Sequence, residues 1–452
     1  MMQSKWKLSG LAALPTALLT ALPAWAQEAT EAVTEAAAEV VEAAPVSGLD
    51  TGDTAWMITA TALVMFMILP GLALFYGGLV RAKNMLSVLV QVTAIAAMMM
   101  IIWVFYGYSF AFGGSDSAYF GGFDKIFLKG VTAQSESGTI PEYLFIAFQM
   151  TFAALTPALI VGAFAERIKF GALMVFSVLW ATLVYFPIAH MAWDPNGLFF
   201  GWEVLDFAGG TVVHINAGVA GLVGALVLGK RTGYGKDNMA PHSLPLAITG
   251  AGMLWVGWFG FNAGSALGAS TSATLAMLNT FTATAGATVA WLVLEKLFRS
   301  KSSALGAASG IIAGLVAVTP AAGAVGPVGA IILGAAGSAV AYYFVSVVKV
   351  KAGYDDSLDV FGIHGVAGIL GAIGTGILAS PSFGGQGFGG EHTMASQVYV
   401  QALAVIITII WCALVSYVLF KLIDKVMGLR VSVDAEREGL DLTSHGERAY
   451  HS

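Results

Sequence analysis

Eleven apolar stretches, each long enough to cross a lipid bilayer as a helix, constrain the fold of this sequence more than any other feature. A membrane-spanning α-helix needs about 20 mainly apolar residues and hydrogen-bonds its own backbone. Only 11% of the residues are charged, whereas soluble domains carry about 25%, so lipid is the expected solvent. The stretches are 54–77, 85–112, 143–165, 170–190, 208–229, 245–267, 274–295, 304–320, 327–348, 360–380 and 397–420.

The N-terminus predicts a cleaved signal peptide at residues 1–26. Lys5 and Lys7 precede a short apolar run, which ends in an A-x-A cleavage pattern at residues 24–26. The alternative is a first transmembrane helix, which two prolines in the short run disfavour. Residues 27–52 then form an acidic, Ala-rich segment on the periplasmic side, for which we predict no chemistry.

The loop charges test the number of helices, because cytoplasmic loops of membrane proteins carry an excess of Lys and Arg. With the mature N-terminus outside, the inner loops carry twelve basic residues and the outer loops two, Lys125 and Lys129. The tail, residues 421–452, then lies inside, as an odd number of helices requires. The remaining two of the 21 basic residues are Lys5 and Lys7, so none of the eleven apolar stretches contains a Lys or an Arg. The sequence predicts an all-α integral membrane protein with a transmembrane domain at residues 53–420.

Two of the seven histidines, His214 and His364, lie well inside apolar stretches, whereas His190 lies at the end of the fourth. Each follows an acid, since Asp206 precedes His214 and Asp359 precedes His364. The loop charges make the two stretches cross the membrane in opposite directions, as an inverted repeat requires. We therefore expect two inverted five-helix halves followed by a final helix.

Ionisable groups at such depth are candidates for function, although a single buried histidine is more often a hydrogen-bonded packing residue. Burial disfavours the imidazolium form, and a neutral imidazole donates from one ring nitrogen and accepts at the other. Two imidazoles in contact can share one proton and still offer hydrogen-bonding edges to a small guest. This pair suits a neutral amine or a proton relay, and it suits a bare cation poorly.

The acids at the two mouths have two interpretations. Asp206 can cap the N-terminus of the fifth helix, or it can attract and order a cation at the outer mouth. We leave both roles open for Asp206. At the inner mouth we favour a capping role for Asp359.

Aromatic residues cluster toward the predicted outer face. Phe148 and Phe152 are four apart and share a helix face, Trp193 follows the fourth stretch, and Trp258 and Phe261 lie in the sixth. An interfacial aromatic belt is the simpler interpretation. Aromatic faces can also hold a small cation, at about 0.5–2 kcal/mol each, whereas burying a bare cation costs tens of kcal/mol. Such a cluster can therefore recruit a cation, but the cation must lose its charge before it enters a dry pore.

The sequence does not favour an enzyme. It has no H-E-x-x-H motif, two histidines without a third ligand make a poor metal site, and no stretch contains a lysine for a Schiff base. Cys412 is the only cysteine, which excludes an internal disulfide. We predict no cofactor, no metal and no nucleic-acid partner.

Four motifs resemble those of the ammonium transporter family (Amt/Mep/Rh), and of its bacterial Amt branch in particular, in a likeness that runs from about residue 53 to 450. The motifs are 70–78 (PGLALFYGG), 206–216 (DFAGGTVVHIN), 257–265 (GWFGFNAGS) and 359–365 (DVFGIHG). The resemblance implies a homotrimer of eleven-helix subunits with one pore each, in a bacterial inner membrane. It implies ammonium uptake, in which the cation is deprotonated at an outer site and ammonia and the proton then move inward separately.

The resemblance also assigns roles to single residues. Phe152 and Phe261 would stack as a gate, His214 and His364 would be the twin histidines of the pore, and Asp206 would be the essential acid. Thr319 and Trp258 match further pore positions. The outer ammonium site would consist of Phe148, Phe152, Trp193 and Ser265.

The tail fits the same family, in which the C-terminal region docks a PII-type signal protein. The stretches 428–431 (GLRV), 436–441 (EREGLD) and 444–447 (SHGE) carry this likeness. Without it, a solvated charged tail is the simpler interpretation. An ammonium sensor that signals through its tail is the alternative function, and a signalling domain after residue 420 would favour it. The tail is short for such a domain.

Overall fold

The structure, a computed structural model, describes residues 48–450, so the predicted signal peptide and most of the segment 27–52 lie outside the described residues. In this part of the chain, eleven helices are long and apolar enough to cross a membrane, as predicted. They are α1 Thr51–Leu79, α2 Ala82–Phe112, α3 Glu142–Phe164, α4 Phe170–Gly201 (interrupted at residues 194–197), α5 Gly210–Leu228, α6 Leu244–Gly264, α7 Thr271–Arg299, α8 Ala304–Ala321, α9 Pro327–Ala352, α10 Phe361–Leu378 and α11 Met394–Met427.

Several helices extend beyond the apolar stretches that predicted them. Helix α11 continues to Met427 and α7 to Arg299, so charged residues occupy their last turns. Side-chain caps begin several of the helices; Ser270, Ser303 and Thr393, for example, each accept a hydrogen bond from a backbone N–H of the first turn. Apolarity marks where a helix can meet lipid, whereas capping and backbone hydrogen bonds decide where it ends.

Short elements complete the described chain. A small antiparallel hairpin, β1 Glu136–Ser137 and β2 Ile140–Pro141, precedes α3. Two short helices, α12 Val433–Glu438 and α13 Leu440–His445, form the tail. We name the ends of the bundle by the predicted orientation: the outer end carries the hairpin, and the inner end carries the tail.

The helices that carry His214 and His364 share an unusual start. Helix α5 begins with a π-helical segment, Gly210–Ile215, and α10 with another, Phe361–Val366. Segments of this kind are rare and occur often at functional sites, because the wider turn displaces side chains from their α-helical positions. Each histidine lies within such a segment.

Helices α5 and α10 cross at glycines. A Cβ atom on Gly218 would lie 2.2 Å from the backbone nitrogen of Gly365, so only glycine permits this approach. One turn away, a Cβ on Gly368 would lie 3.2 Å from Cβ of His214. These glycines therefore bring the two histidine helices into contact.

The outside of the bundle is apolar. Ile58, Leu226, Val289 and Ile410 are each more than half exposed, on four different helices. Exposed apolar surface on this scale marks an interaction with lipid or with another protein. The surface fits the lipid environment predicted from composition.

Ion pairs join the loops at the inner end. Arg81 Nη2 lies 2.7 Å from Glu166 Oε2, and Arg231 Nη2 lies 2.9 Å from Asp355 Oδ1. Burial raises the pKa of Glu166, but the guanidinium groups of Arg231 and Arg81 outweigh this effect and hold it below its usual value. The network thus fixes charged loops where four helices end.

The tail packs against this network. The Arg430 guanidinium lies 2.8 Å from the Glu436 carboxylate, which also accepts a hydrogen bond of 2.6 Å from the backbone N–H of Thr232. Further along, Asp441 accepts from the backbone N–H of Ser87 at 2.7 Å. In the described part of the chain the tail is therefore docked on the inner loops, and the alternative of a solvated tail does not hold for these residues.

Candidate functional site

A cavity of about 470 Å³ opens at the outer end of the bundle. Four of the predicted site residues line it: Phe152, Trp193, Asp206 and Ser265. Phe148 lies behind them, with its ring centroid 4.9 Å from that of Phe152. The cavity therefore brings together an acid, a hydroxyl and two aromatic faces, while Phe148 packs against the Phe152 ring.

Two hydrogen-bond clusters hold Trp193 at the wall of this cavity. Its indole Nε1–H donates to the backbone carbonyl oxygen of Asp206 at 3.0 Å. One turn earlier in α4, the ring nitrogens of His190 lie 2.8 and 2.7 Å from the carbonyl oxygens of Ala111 and Ser117. His190 is fully buried. These contacts fix the outer end of α4 and, with it, the indole ring.

Asp206 caps helix α5. Its carboxylate accepts hydrogen bonds from the backbone N–H groups of Gly209 at 3.1 Å and Thr211 at 2.9 Å, and from that of Gly210 and the Thr211 hydroxyl. Burial raises the pKa of Asp206, and the hydrogen bonds that Thr211 and Gly210 donate oppose this rise. The structure thus shows the capping role, and the carboxylate also contributes to the cavity wall.

Ser265 ends helix α6 at the cavity. Its hydroxyl donates to the carbonyl oxygen of Phe261 at 2.8 Å. Because that bond uses the only hydroxyl hydrogen, the free lone pairs of Oγ can only accept. Ser265 therefore offers a hydrogen-bond acceptor to a guest in the cavity.

Two phenylalanine rings close the cavity on its inner side. The ring centroids of Phe152 and Phe261 are 4.4 Å apart, at an interplanar angle of 42°. Both side chains are fully buried or nearly so. Phe152 lines the outer cavity, and Phe261 stacks on His214 with a centroid distance of 5.9 Å. The pair separates the cavity from the histidines, where the gate was predicted.

His214 and His364 are in direct contact below this pair. Their Nδ1 atoms are 3.2 Å apart, and the rings are nearly parallel at 18°. Exposure is 0% for His214 and 3% for His364. The His214 ring also stacks on Trp258, whose indole donates to the Thr319 hydroxyl at 2.9 Å. The structure therefore joins the two histidines that the sequence placed 150 residues apart.

The Nδ1 contact fixes the hydrogen-bonding pattern of the pair. A hydrogen bond between two ring nitrogens needs one donor and one acceptor, so only one of the two Nδ1 atoms carries the hydrogen. In neutral rings the donor histidine then has a bare Nε2, and the acceptor histidine has a protonated Nε2. Nε2 of His214 has no partner among the described residues. The pair thus offers one acceptor and one donor for a small molecule.

The surroundings of the histidines are apolar. A cavity of about 10 Å³ lies beside His364, and His364 itself and the Trp258 indole are the polar groups among the residues that line it. This volume is near the minimum that one water molecule needs. No acid is among the described residues that line it, so a cation at this depth would have no counter-charge from them. The remaining lining residues are Met67, Leu72, Phe75, Leu155, Leu159, Leu254 and Ile312.

The inner mouth differs from the prediction. Asp359 does not cap helix α10; it pairs with Lys349 and has a left-handed backbone with φ of 62°. The capping acid is Asp356, whose carboxylate accepts from the backbone N–H groups of Val360 at 3.0 Å and Phe361 at 2.8 Å. Burial and the nearby Asp359 charge raise the pKa of Asp356 to about 6.

With Asp356 as the cap, the spacing between the capping acid and the histidine is the same in both halves. Asp206 precedes His214 by eight residues, and Asp356 precedes His364 by eight residues as well. With Asp359 the spacing would be five. The equal spacing was the signal in the sequence that pointed to Asp356.

Sequence reasoning also missed Gln149 in helix α3. Gln149 lines the outer cavity together with Phe152, three residues further along the helix. It is a buried side chain, 8% exposed, and the only carboxamide in α3. That carboxamide next to Phe148 was the available signal.

The chain is also similar to known proteins. A sequence model described as Ammonium Transporter Family matches residues 55–450. An ammonium transporter of Aquifex aeolicus (strain VF5) is 49% identical over 405 residues, which cover 89% of this chain and 94% of that protein.

Two solved structures are also similar. Mep2 of Saccharomyces cerevisiae has a TM-score of 0.78 at 34% identity, covering 86% of this chain and 89% of that one. A structure described as Sensor Amt Protein has a TM-score of 0.80 at 29% identity, covering 87% of this chain and 98% of that one.

Proposed function

Because the chain belongs to the Ammonium Transporter Family, and is therefore an ammonium transporter and not an enzyme, we propose that it separates its substrate before passage. Ammonium is recruited in the outer cavity and deprotonated there. Ammonia and the proton then pass His214 and His364 separately. The contact between these two histidines in an apolar pore is the observation that carries this proposal.

The outer cavity suits recruitment of the cation. The faces of Phe152 and Trp193 offer cation–π attraction of about 0.5–2 kcal/mol each, Phe148 supports Phe152 from behind, and the Ser265 hydroxyl accepts a hydrogen bond. The Asp206 carboxylate adds a negative charge at the cavity wall. These interactions are enough to hold ammonium briefly at the mouth of a pore.

The same energies exclude passage of the intact cation. Transferring a bare cation to an apolar environment costs tens of kcal/mol in the idealised case, far more than two or three aromatic contacts return. Ammonia carries no charge, so it passes the Phe152–Phe261 gate at a much smaller cost. Deprotonation before the gate, followed by passage of ammonia, therefore has a lower free-energy barrier than passage of intact ammonium.

The histidine pair suits both products of the deprotonation. Its acceptor nitrogen can bind an N–H of ammonia, and its donor N–H can bind the lone pair of ammonia. Because the two rings share one hydrogen, a proton added to one ring can move to the other through the Nδ1 contact. A relay of this kind needs no water at the level of the histidines.

The membrane, the oligomeric state and the orientation that we propose are those that the family resemblance implies. We place the protein in a bacterial inner membrane as a homotrimer, with the mature N-terminus in the periplasm and the C-terminus in the cytoplasm. The excess of basic residues in the inner loops supports this orientation. The ordered tail, fixed through Glu436 and Asp441, offers a preformed surface to a PII-type signal protein.

An ammonium sensor is the second candidate. The similarity to the structure described as Sensor Amt Protein favours it, because the two folds agree over most of both chains. The pore residues would serve either function. A measured steady current at saturating ammonium separates them, since a sensor needs occupancy of its site but little flux.

The test of transport uses the unmodified protein in proteoliposomes on a solid-supported membrane. A pulse of ammonium is expected to evoke a current, whereas an equal pulse of potassium is expected to evoke none above protein-free liposomes. Potassium matches ammonium in charge but cannot lose a proton. Equal currents from the two ions would refute the proposed mechanism and the assigned substrate together.

A further inference from the structure

We propose that Gln149 is an additional ammonium-binding residue of the outer cavity and helps to select ammonium over potassium. This inference rests on the proposed function. It assigns to the Gln149 carboxamide oxygen a hydrogen bond from the bound cation, alongside the one that Ser265 Oγ accepts.

Gln149 is unusual among the buried glutamines of residues 48–450. Gln397 bonds to the backbone of Gly389 and Glu203, and Gln401 bonds to the backbone of Leu205 through both ends of its amide. Gln91 donates to Ser87. Within the same described range, Gln149 makes no side-chain hydrogen bond to protein, although only 8% of it is exposed.

A buried carboxamide without a partner is unfavourable, and buried polar groups in native proteins are nearly always hydrogen-bonded. Gln149 faces the outer cavity of about 470 Å³, so its partner is whatever fills that cavity. Its place in the helix supports this, since Phe152 follows three residues later on the same face. The side chain is thus held ready for a guest next to the aromatic gate.

Two other polar side chains of the cavity already hydrogen-bond to protein. The Asp206 carboxylate accepts from the start of helix α5, and the Ser265 hydroxyl hydrogen is donated to Phe261. Gln149 keeps both an acceptor oxygen and two donor hydrogens free. Among the described polar side chains of this cavity, Gln149 and the exposed Gln386 are the two that no protein group hydrogen-bonds, and Gln149 is the buried one of the two.

This arrangement distinguishes ammonium from potassium by chemistry and not by size. Ammonium directs four N–H bonds, so two acceptors, Ser265 Oγ and Gln149 Oε1, can serve two of them while aromatic faces meet the others. Potassium has no directed hydrogens and needs a shell of several oxygens to replace its water. Two oxygens and aromatic rings therefore replace the hydration of ammonium far better than that of potassium.

The test measures currents over a series of ammonium concentrations in proteoliposomes that hold Gln149→Met, Gln149→Glu or the unmodified protein. Methionine keeps the length of the side chain and removes its hydrogen bonds. We expect Gln149→Met to raise the half-saturating ammonium concentration about five- to tenfold, with a smaller change in maximal current. Gln149→Glu restores the acceptor and adds charge, so it is expected to lower that concentration and to make potassium an effective competitor.

The controls separate this inference from its premise. Gln134→Met removes an exposed glutamine in a loop, and it is expected to leave the currents unchanged. Unmodified protein without ammonium current would refute the proposed function. A normal wild-type current combined with unchanged half-saturation in Gln149→Met, or with equal losses in the Met and Glu variants, would overturn the role of Gln149. Elution in gel filtration shows that each variant is folded.

Discussion

Asp206→Asn is expected to reduce the maximal ammonium current at least about tenfold. Several donors converge on the Asp206 carboxylate, and asparagine would present an NH₂ group to some of them. Each hydrogen bond to a charged acceptor contributes about 1.5–3 kcal/mol, and 1.4 kcal/mol corresponds to tenfold. The start of helix α5, and with it His214, would then lose its fixed position. Currents on a solid-supported membrane provide the measurement.

Asp356→Asn is the matched control, because Asp356 caps α10 eight residues before His364 in the same way. It removes a cap from the inner end without changing the charge of the outer cavity. We expect only Asp206→Asn to raise the half-saturating ammonium concentration. If both variants lowered the current equally and left half-saturation unchanged, Asp206 would be a cap and nothing more.

His214→Leu and His364→Leu are each expected to reduce the ammonium current about a hundredfold, the lower range of what a positioned proton-transfer group contributes. Leucine keeps the pore dry and closed to cations, but it cannot accept a proton or pass one across the 3.2 Å contact. His392→Leu, in an outer loop, is the control for the loss of a histidine as such. A current within twofold of normal in both pore variants would remove the twin histidines from the mechanism.

Hydropathy predicted the architecture well, because a span must bury about 20 apolar residues whatever the detailed packing. All eleven helices lie where the apolar stretches predicted them, and His214 and His364 meet as the opposed directions of α5 and α10 required. The π-helical start of both helices could not be predicted, since it depends on the tertiary contacts of the first turn. The 4.4 Å contact between the gate rings could not be predicted from hydropathy either; only the family resemblance implied that Phe152 and Phe261 stack.

Single polar residues were harder to assign than whole helices. The choice of Asp359 over Asp356 failed because a cap depends on the local turn, and Asp359 adopts φ of 62° and turns toward Lys349. Gln149 was missed because one amide hardly changes the hydropathy of its helix. Its role is inferred from the lack of a protein hydrogen-bond partner for the carboxamide, and only the structure shows this lack.

Charge and nitrogen measured together in one preparation test the central claim most directly. Isotopically labelled ammonium gives the nitrogen that enters proteoliposomes, and the integrated current gives the charge. If ammonia and the proton move separately, the ratio of charge to nitrogen should fall in His364→Leu below that of the unmodified protein, because the proton loses its route while ammonia keeps one. An unchanged ratio in the residual flux of the variant, with potassium still excluded, would mean that ammonium crosses the pore whole and would contradict the account.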